Sequence, residues 1–494
     1  MGEFHVAVIG AGISGMQFTR DLQRDGISHT VYERGPEVGG TWRENRYPGL
    51  YIDVPVVAYQ MSFERKYDWS NPFAAGPEIQ DYLLAVADKH DLRKHVRFNT
   101  EVLDASWIND QWHLTLSDGT VDRADALICA TGFLDKPQTP TIDGMDTFKG
   151  DLIHTARWPE AVNLSGKRIG VVGSGASGIQ VTATLGMEGH DVKQFVRTPQ
   201  WVEIITNPKA PWWRRKLAGL LGPRFPKLGE KLLMQLAMTS ERDATLANPD
   251  ITWRTTPGPR RVEAQDALRR TVDLIDDPAL RARMTPTFEP GCKRIPKSDD
   301  YYAAIGRDNV EVVFGGVDRI DETGVWSTDG EHHEVDVIVF ATGYDPHAYM
   351  RPMTMRGVDG VSIDDAWADG VFAYRTTSVP KFPNMWIIQG PYAPVANVSP
   401  TMSAVTLSTY VRGLLQVSIE RNVWTAPTEE ATKRFLAWMD AGQPNTIYAG
   451  DCSNWYRDGD RIILWPYDDA EFHGMFDDIG LDDLEVVPTR GPVA

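Results

Sequence analysis

Two charged residues of opposite sign stand at nearly the same offset from two glycine turns. Residues 5–15, HVAVIGAGISG, carry Gly10, Gly12 and Gly15, and Glu33 lies 23 residues after Gly10. Residues 167–178, KRIGVVGSGASG, carry Gly173, Gly175 and Gly178, and Arg197 lies 24 residues after Gly173. Glycines at this spacing let a backbone approach a pyrophosphate, whose charge then faces the N-terminus of the next helix. An acid at the first offset accepts hydrogen bonds from an adenosine ribose. A carboxylate at the second would repel a 2′-phosphate, whereas a guanidinium holds one with paired, charge-assisted bonds. Losing one hydrogen bond to a charged group costs about 1.5–3 kcal/mol, so the change of sign is a change of ligand. FAD is expected at the first turn and NADPH at the second.

Such turns need a strand before them and a helix after. The β-branched run at 5–9 precedes the first turn, MQFTRDLQRDG at 16–26 has helical spacing, and HTVYER at 29–34 reads as the next strand. The pattern recurs from 167 and ends in the strand DVKQFVRTP at 191–199. ALICATGFLDKP at 126–137 and DVIVFATGYDP at 336–346 echo each other as strand followed by Ala-Thr-Gly, and each would close a nucleotide-binding unit. The expected fold is α/β, with two Rossmann-like dinucleotide-binding domains, the NADPH domain inserted in the FAD domain. The boundaries fall at the Pro-rich stretch 137–149 and near 325–335. They give a first FAD part at 1–145, a linker at 146–160, an NADPH domain at 161–330 with a helical insert at about 205–290, and a second FAD part at 331–494.

Bulk properties narrow the function. The 494 residues suffice for two or three domains, and 42% hydrophobic with 24% charged residues is ordinary for a globular protein. A net charge of -18 repels phosphate backbones, so nucleic acid is not an expected partner. Cys129, Cys292 and Cys452 are far apart and form no CxxC pair. That spacing argues against a disulfide scaffold, a zinc site or a dithiol centre, and fits a reducing cytoplasm. No secretory signal and no run of about 20 apolar residues is visible, so a cytoplasmic protein without a metal is expected.

FKGDLIHTARWP at 148–159 has neither helical nor alternating pattern and reads as a connector. It places Phe148, Gly150, His154, Trp158 and Pro159 in the spacing FxGxxxHxxxWP. Five such matches arise by chance in a chain this long with a probability of about 10⁻⁴. Through this stretch, and through GGTWRENRYPGLYID at 39–53 with Gly40, Trp42, Tyr47, Pro48, Gly49 and Asp53, the chain resembles the type I Baeyer-Villiger monooxygenases among the class B flavoprotein monooxygenases. The resemblance continues through GCKR at 291–294, FPNMWIIQGP at 382–391 and NWY at 454–456. It is poor over 205–290, and Glu160 stands where the fingerprint often has Asp.

The resemblance implies contacts to the two cofactors by Ser14, Arg34, Gly40, Thr41, Trp42, Tyr47, Asp53, Val102, Ala130, Thr131, Gly132, Ser174, Ser177, Gln180, Ala341, Thr342, Gly343 and Gln389, besides the glycines of the turns. Tyr59 is expected at the flavin, Lys293 at the 2′-phosphate beside Arg197 and Thr198, and Trp455 at the nicotinamide ribose. It further implies that Arg294 keeps a C4a-peroxyflavin deprotonated, that Asp53 holds that arginine charged, and that His154 is a hinge and relay residue between the domains. The implied reaction consumes NADPH and O2 and converts a ketone to an ester or lactone. Oxygenation of sulfur or amine nitrogen is the nearest alternative; an NADPH oxidase or flavin reductase and a non-catalytic redox module are others. A monomer or homodimer is expected.

Substrate contacts are expected from 52–60, the insert and YAPVANVSPTMS at 392–403, whose apolar and small residues point to an apolar ketone. Residues 207–238 carry seven Lys or Arg among apolar residues in an otherwise acidic chain. They could dock on a membrane surface or cover the substrate pocket. Pro211, Pro223 and Pro226 interrupt any long amphipathic helix, so the cover is preferred and membrane association is not expected.

Overall fold

The structure, a computed structural model, describes residues 4–238, 252–396 and 398–489. Residues 239–251 of the expected insert and Asn397 of the expected substrate loop lie outside the described residues.

The first unit contains β1 (His5–Ile9), α1 (Ile13–Asp25), β2 (Ser28–Tyr32), β3 (Val96–Arg97) and β4 (Ala126–Cys129). The second contains β5 (Asp151–His154), β6 (Arg168–Val172), α2 (Ala176–Met187), β7 (Asp191–Val196), β8 (Val310–Phe314) and β9 (Val337–Phe340). Then β10 (Met385–Ile387) returns to the first sheet. The strand orders are β10-β4-β1-β2-β3 and β8-β7-β6-β9-β5, all parallel. Central strands of such sheets are covered on both faces and must be apolar throughout. Val6, Ala7 and Val8 in β1 and Ile169 and Val171 in β6 are accordingly fully buried. In each sheet the connections from the central strand diverge to opposite sides, and the crevice at that switch point is where α/β sheets hold ligands.

Two boundaries differ from the expectation. The stretch read as a connector contains β5, which pairs with β9 in the second sheet. Only Ile153 of its four residues is buried, so an edge strand of this length leaves no alternating pattern to read. Likewise β9, placed after the expected end of the NADPH domain at residue 330, pairs with β6 and completes that domain's sheet.

The basic stretch folds into a hairpin of α3 (Trp212–Leu221) and α4 (Pro226–Ala237). The prolines interrupt one helix by starting another: Pro226 occupies the first turn of α4, where a missing N–H is harmless. Gly222 and Gly229 close on the ring of Tyr67, and a Cβ on either would lie within 2.5 Å of it. Arg65 pairs with Glu230 at 2.9 Å and fastens α4 to the first unit.

The cysteine reading is also corrected. Cys292 and Cys452 form a disulfide with Cα atoms 6.3 Å apart. Folding brings the loop that carries Lys293 and Arg294 against the loop that carries Trp455, which their separation of 160 residues conceals. Asn454 Nδ2 donates to the Cys292 carbonyl at 3.0 Å at the same junction.

Candidate active site

Each glycine turn passes over the Ala-Thr-Gly segment of its own sheet. A Cβ on Gly10 would stand 2.7 Å from the Ala130 carbonyl oxygen, and one on Gly173 2.5 Å from that of Ala341. Both residues have positive φ, +100° and +127°, so the turns require glycine for conformation as well as space. The middle glycines face open space instead: a Cβ on Gly175 would meet nothing within 4 Å, and one on Gly12 only Gly40 at 3.6 Å. A cavity of about 2140 Å³ runs from one turn to the other and is lined by both. A single small-molecule ligand takes about 300–1,000 Å³, so the space fits two dinucleotides and a substrate.

The charged residues after the turns are held differently. Glu33, 5% exposed, accepts from the Ala11 N–H at 2.9 Å, the Gly35 N–H at 2.8 Å and Arg43 Nη2 at 3.2 Å. It knits the first turn together while still lining the cavity. Arg197 is exposed at the cavity wall. Near it, Lys293 is held below the ordinary lysine range, first by burial and then by the Arg197 charge. Its Nζ lies 4.7 Å from the centre of the Phe288 ring. Among the described residues neither cation has a carboxylate partner, so an anion lodged by them would relieve their repulsion. That is the chemistry a 2′-phosphate supplies. Thr198 lines the same wall, and its carbonyl accepts from Ser174 Oγ at 2.7 Å.

Between the two turns, Arg294 donates through Nε and Nη2 to Asp53 Oδ2 at 3.0 and 2.5 Å. Burial pushes the Asp53 carboxyl up, but the Arg294 charge and hydrogen bonds outweigh it and hold Asp53 below the usual carboxylate range. Asp53 in turn raises Arg294 above the usual arginine value. The Arg294 side chain lines the cavity and keeps 36% exposure, and Nη1 has no protein partner among the described residues. The pair presents a permanent cation to whatever occupies the cavity. Tyr59 accepts from Trp42 Nε1 at 2.9 Å, and burial pushes its hydroxyl up, as it does for Tyr456. The Arg294 charge opposes both rises. Tyr456 was not singled out in the sequence; its adjacency to Trp455 was the available signal.

Several residues expected at the cofactors join the units to one another. Tyr47 donates to Gln180 Oε1 at 2.9 Å and accepts from Ser177 Oγ at 3.1 Å, and Gln180 Nε2 donates to the Tyr51 carbonyl at 3.1 Å. The 39–53 motif of the first unit thus docks on α2 of the second. Arg34 pairs with Asp135. Gln389 donates to Ser403 Oγ at 2.6 Å, yet still lines the cavity together with Ser14, Thr41, Val102, Thr131, Gly132 and Gly343. Trp455 stacks on Phe133 with ring centres 5.8 Å apart, at the cavity wall.

His154 ends β5 and does not line the cavity. Its Nδ1 accepts from the Ala156 N–H at 3.1 Å, which leaves the proton on Nε2, 3.3 Å from Thr342 Oγ1; that hydroxyl donates to the Gln138 carbonyl at 2.6 Å. Burial lowers its pKa, so the ring is neutral near pH 7. His154 thus ties the fingerprint to the Ala-Thr-Gly that follows β9. The remaining fingerprint residues act by packing. A Cβ on Gly150 would lie 2.2 Å from the Asp336 carbonyl oxygen, and Trp158 is buried in the second unit's core.

The pattern of the flavin-binding monooxygenase-like family matches residues 3–214. A Baeyer-Villiger monooxygenase of Streptomyces coelicolor is 34% identical over 492 residues, 98% of this chain and 92% of that protein. An uncharacterized monooxygenase of Mycobacterium tuberculosis is 38% identical over 474 residues, 95% of this chain and 93% of that protein. Among solved structures, oxidized steroid monooxygenase bound to NADP superposes with a TM-score of 0.86 at 26% identity, covering 99% of this chain and 100% of that one. Closed cyclohexanone monooxygenase gives 0.85 at 26% identity, with the same coverage.

Proposed function

Because the chain belongs to the type I Baeyer-Villiger monooxygenases, we propose that it uses NADPH and O2 to insert one oxygen atom beside the carbonyl of an apolar ketone, giving an ester or lactone. It is an enzyme with two cofactors, FAD at the first turn and NADPH at the second. Bound FAD, once reduced by NADPH, supplies the activated oxygen.

The chain's own residues do the rest. Gly10 and Gly173 make the tight turns, and the open space at Gly12 and Gly175 lets two backbones close on two pyrophosphates. Glu33 is expected to accept from the ribose of the first dinucleotide, and Arg197 with Lys293 to hold the 2′-phosphate of the second. Tyr47, Ser177 and Gln180 keep the two turns in register, so that both ligands meet at one wall. At that wall stands Arg294, fixed by Asp53. A preorganised cation favours the ionised form of an acidic group brought against it and stabilises negative charge as it develops on the substrate oxygen. The cavity lining includes Val54, Val57, Met234, Trp253, Val395 and Met402, which favours a ketone without charge.

The observation that carries this reading is the Arg294–Asp53 pair on the shared wall of the two turns. The test is Arg294→Ala. This variant is expected to retain yellow flavin and its reduction by NADPH, and to lose ester formation by about 10²–10³-fold, with consumed NADPH appearing as peroxide. Ester formation at the wild-type rate would remove Arg294 from the chemistry. Sulfoxide as the main product across a panel of ketones and sulfides would favour heteroatom oxygenation instead.

A further inference from the structure

The helical hairpin has an outer face that nothing in the reaction uses. On α3, Trp213, Leu217 and Leu220 lie at i, i+4 and i+7 and so share one side, and they are 57%, 44% and 53% exposed. Trp212 and Phe225, 75% and 58% exposed, extend this patch at the two ends of the helix. Buried Ala218 and Gly222 form the opposite side, against Tyr67. Interleaved with the apolar residues are exposed Lys209, Lys216, Arg224, Lys227 and Lys231, none with a carboxylate partner among the described residues. An exposed group of large apolar side chains marks a docking surface, and here it lies in a chain whose net charge is -18.

We infer that this hairpin docks on the surface of an anionic lipid bilayer. Protein interfaces exclude lysine from their apolar cores. Lysine beside tryptophan is at home at a bilayer surface, where the ring sinks to headgroup depth and the long stem lets the ammonium reach the phosphates. The local positive charge complements an anionic leaflet that would repel the rest of the chain. The hairpin also has a cavity side: Met234, Ala237 and Met238 line the central cavity. Docking would set the wall of that cavity against the phase in which apolar ketones dissolve. This purpose rests on the proposed substrate class; the docking itself does not, and it is measured without turnover.

The holoenzyme is mixed with vesicles of phosphatidylcholine alone, or of phosphatidylcholine with phosphatidylglycerol at 7:3, and floated through a density gradient. The expected result is recovery with the anionic vesicles only, lost in high salt, with a blue shift of tryptophan emission. The variant Lys216→Gln/Lys227→Gln/Lys231→Gln is expected to partition roughly 100-fold more weakly, from about tenfold or less per charge. Trp212→Ser/Trp213→Ser is expected to lose both recovery and blue shift, and both variants should retain flavin content and melting temperature. Three outcomes would overturn the inference. One is equal recovery with and without anionic lipid; another is binding unchanged in both variants. The third is sedimentation showing that the patch is consumed in a lipid-free dimer that the tryptophan variant dissociates.

Discussion

Glu33 is buried and already holds three donors of its own unit, whereas Arg197 is exposed and shares the cavity wall with a second cation, Lys293, that has no carboxylate partner among the described residues. The backbones around them are near copies: glycine turn, helix, parallel strand, Ala-Thr-Gly beneath. In the first unit the charge is neutralised by folding, so the site exists before its ligand arrives. In the second the charges are left mutually repelling, and only an anion completes them. A site whose charge is already satisfied gains little from an anion, while one with unsatisfied cations gains much. That division matches the proposed places of FAD, which brings no 2′-phosphate, and NADPH, which brings one.

The severest way to break the comparison is to close each turn in turn. Gly173→Val puts side-chain atoms onto the Ala341 carbonyl at a positive φ. It is expected to abolish flavin reduction by NADPH while the protein stays yellow, which stopped-flow absorbance checks. Gly10→Val is expected to yield colourless or insoluble protein; a yellow product would mean the first turn does not carry the flavin.

A milder change reverses the second charge. Arg197→Glu removes charge-assisted bonds worth about 1.5–3 kcal/mol, so KM for NADPH should rise roughly 10- to 100-fold while kcat holds. The preference over NADH should shrink by a similar factor. A variant as selective as the parent would place the 2′-phosphate elsewhere.

The smallest effect concerns Lys293. Its pKa lies below the ordinary 10.5 because burial and Arg197 disfavour the charged form. As pH rises through that lowered value the ammonium is lost, so KM for NADPH should climb at a lower pH than an ordinary lysine would allow. Binding the phosphate should also take up protons in that range. Lys293→Arg keeps its charge there, and its KM should stay flat to higher pH. Coincident pH profiles for the two proteins would refute the crowding of the two cations.

Much of this was legible before any fold was known, because glycine turns and the charge that follows them are local. So were the two longer motifs, whose residues cluster within 15 positions. What escaped reading is long-range. β5 is a strand only because β9, more than 180 residues later, lies beside it. Tyr47 and Gln180 line the cavity and also bond to each other across 133 positions, a link that no local pattern shows. The partner of His154, the cavity-lining Thr342, stands 188 positions away and no local pattern names it. The hairpin's prolines were seen as breaks in one helix, whereas Pro226 starts the second.

The cystine at 292 and 452 has a mechanical corollary. Ring closure over 160 residues removes unfolded-chain entropy worth at most about 5 kcal/mol, yet its placement matters more than its strength. One sulfur directly precedes Lys293 and Arg294, and the other lies three residues before Trp455. The two stretches are therefore tied together, so that any displacement of one carries the other and keeps guanidinium and indole in step. A reductant would cut that rivet and let them drift apart.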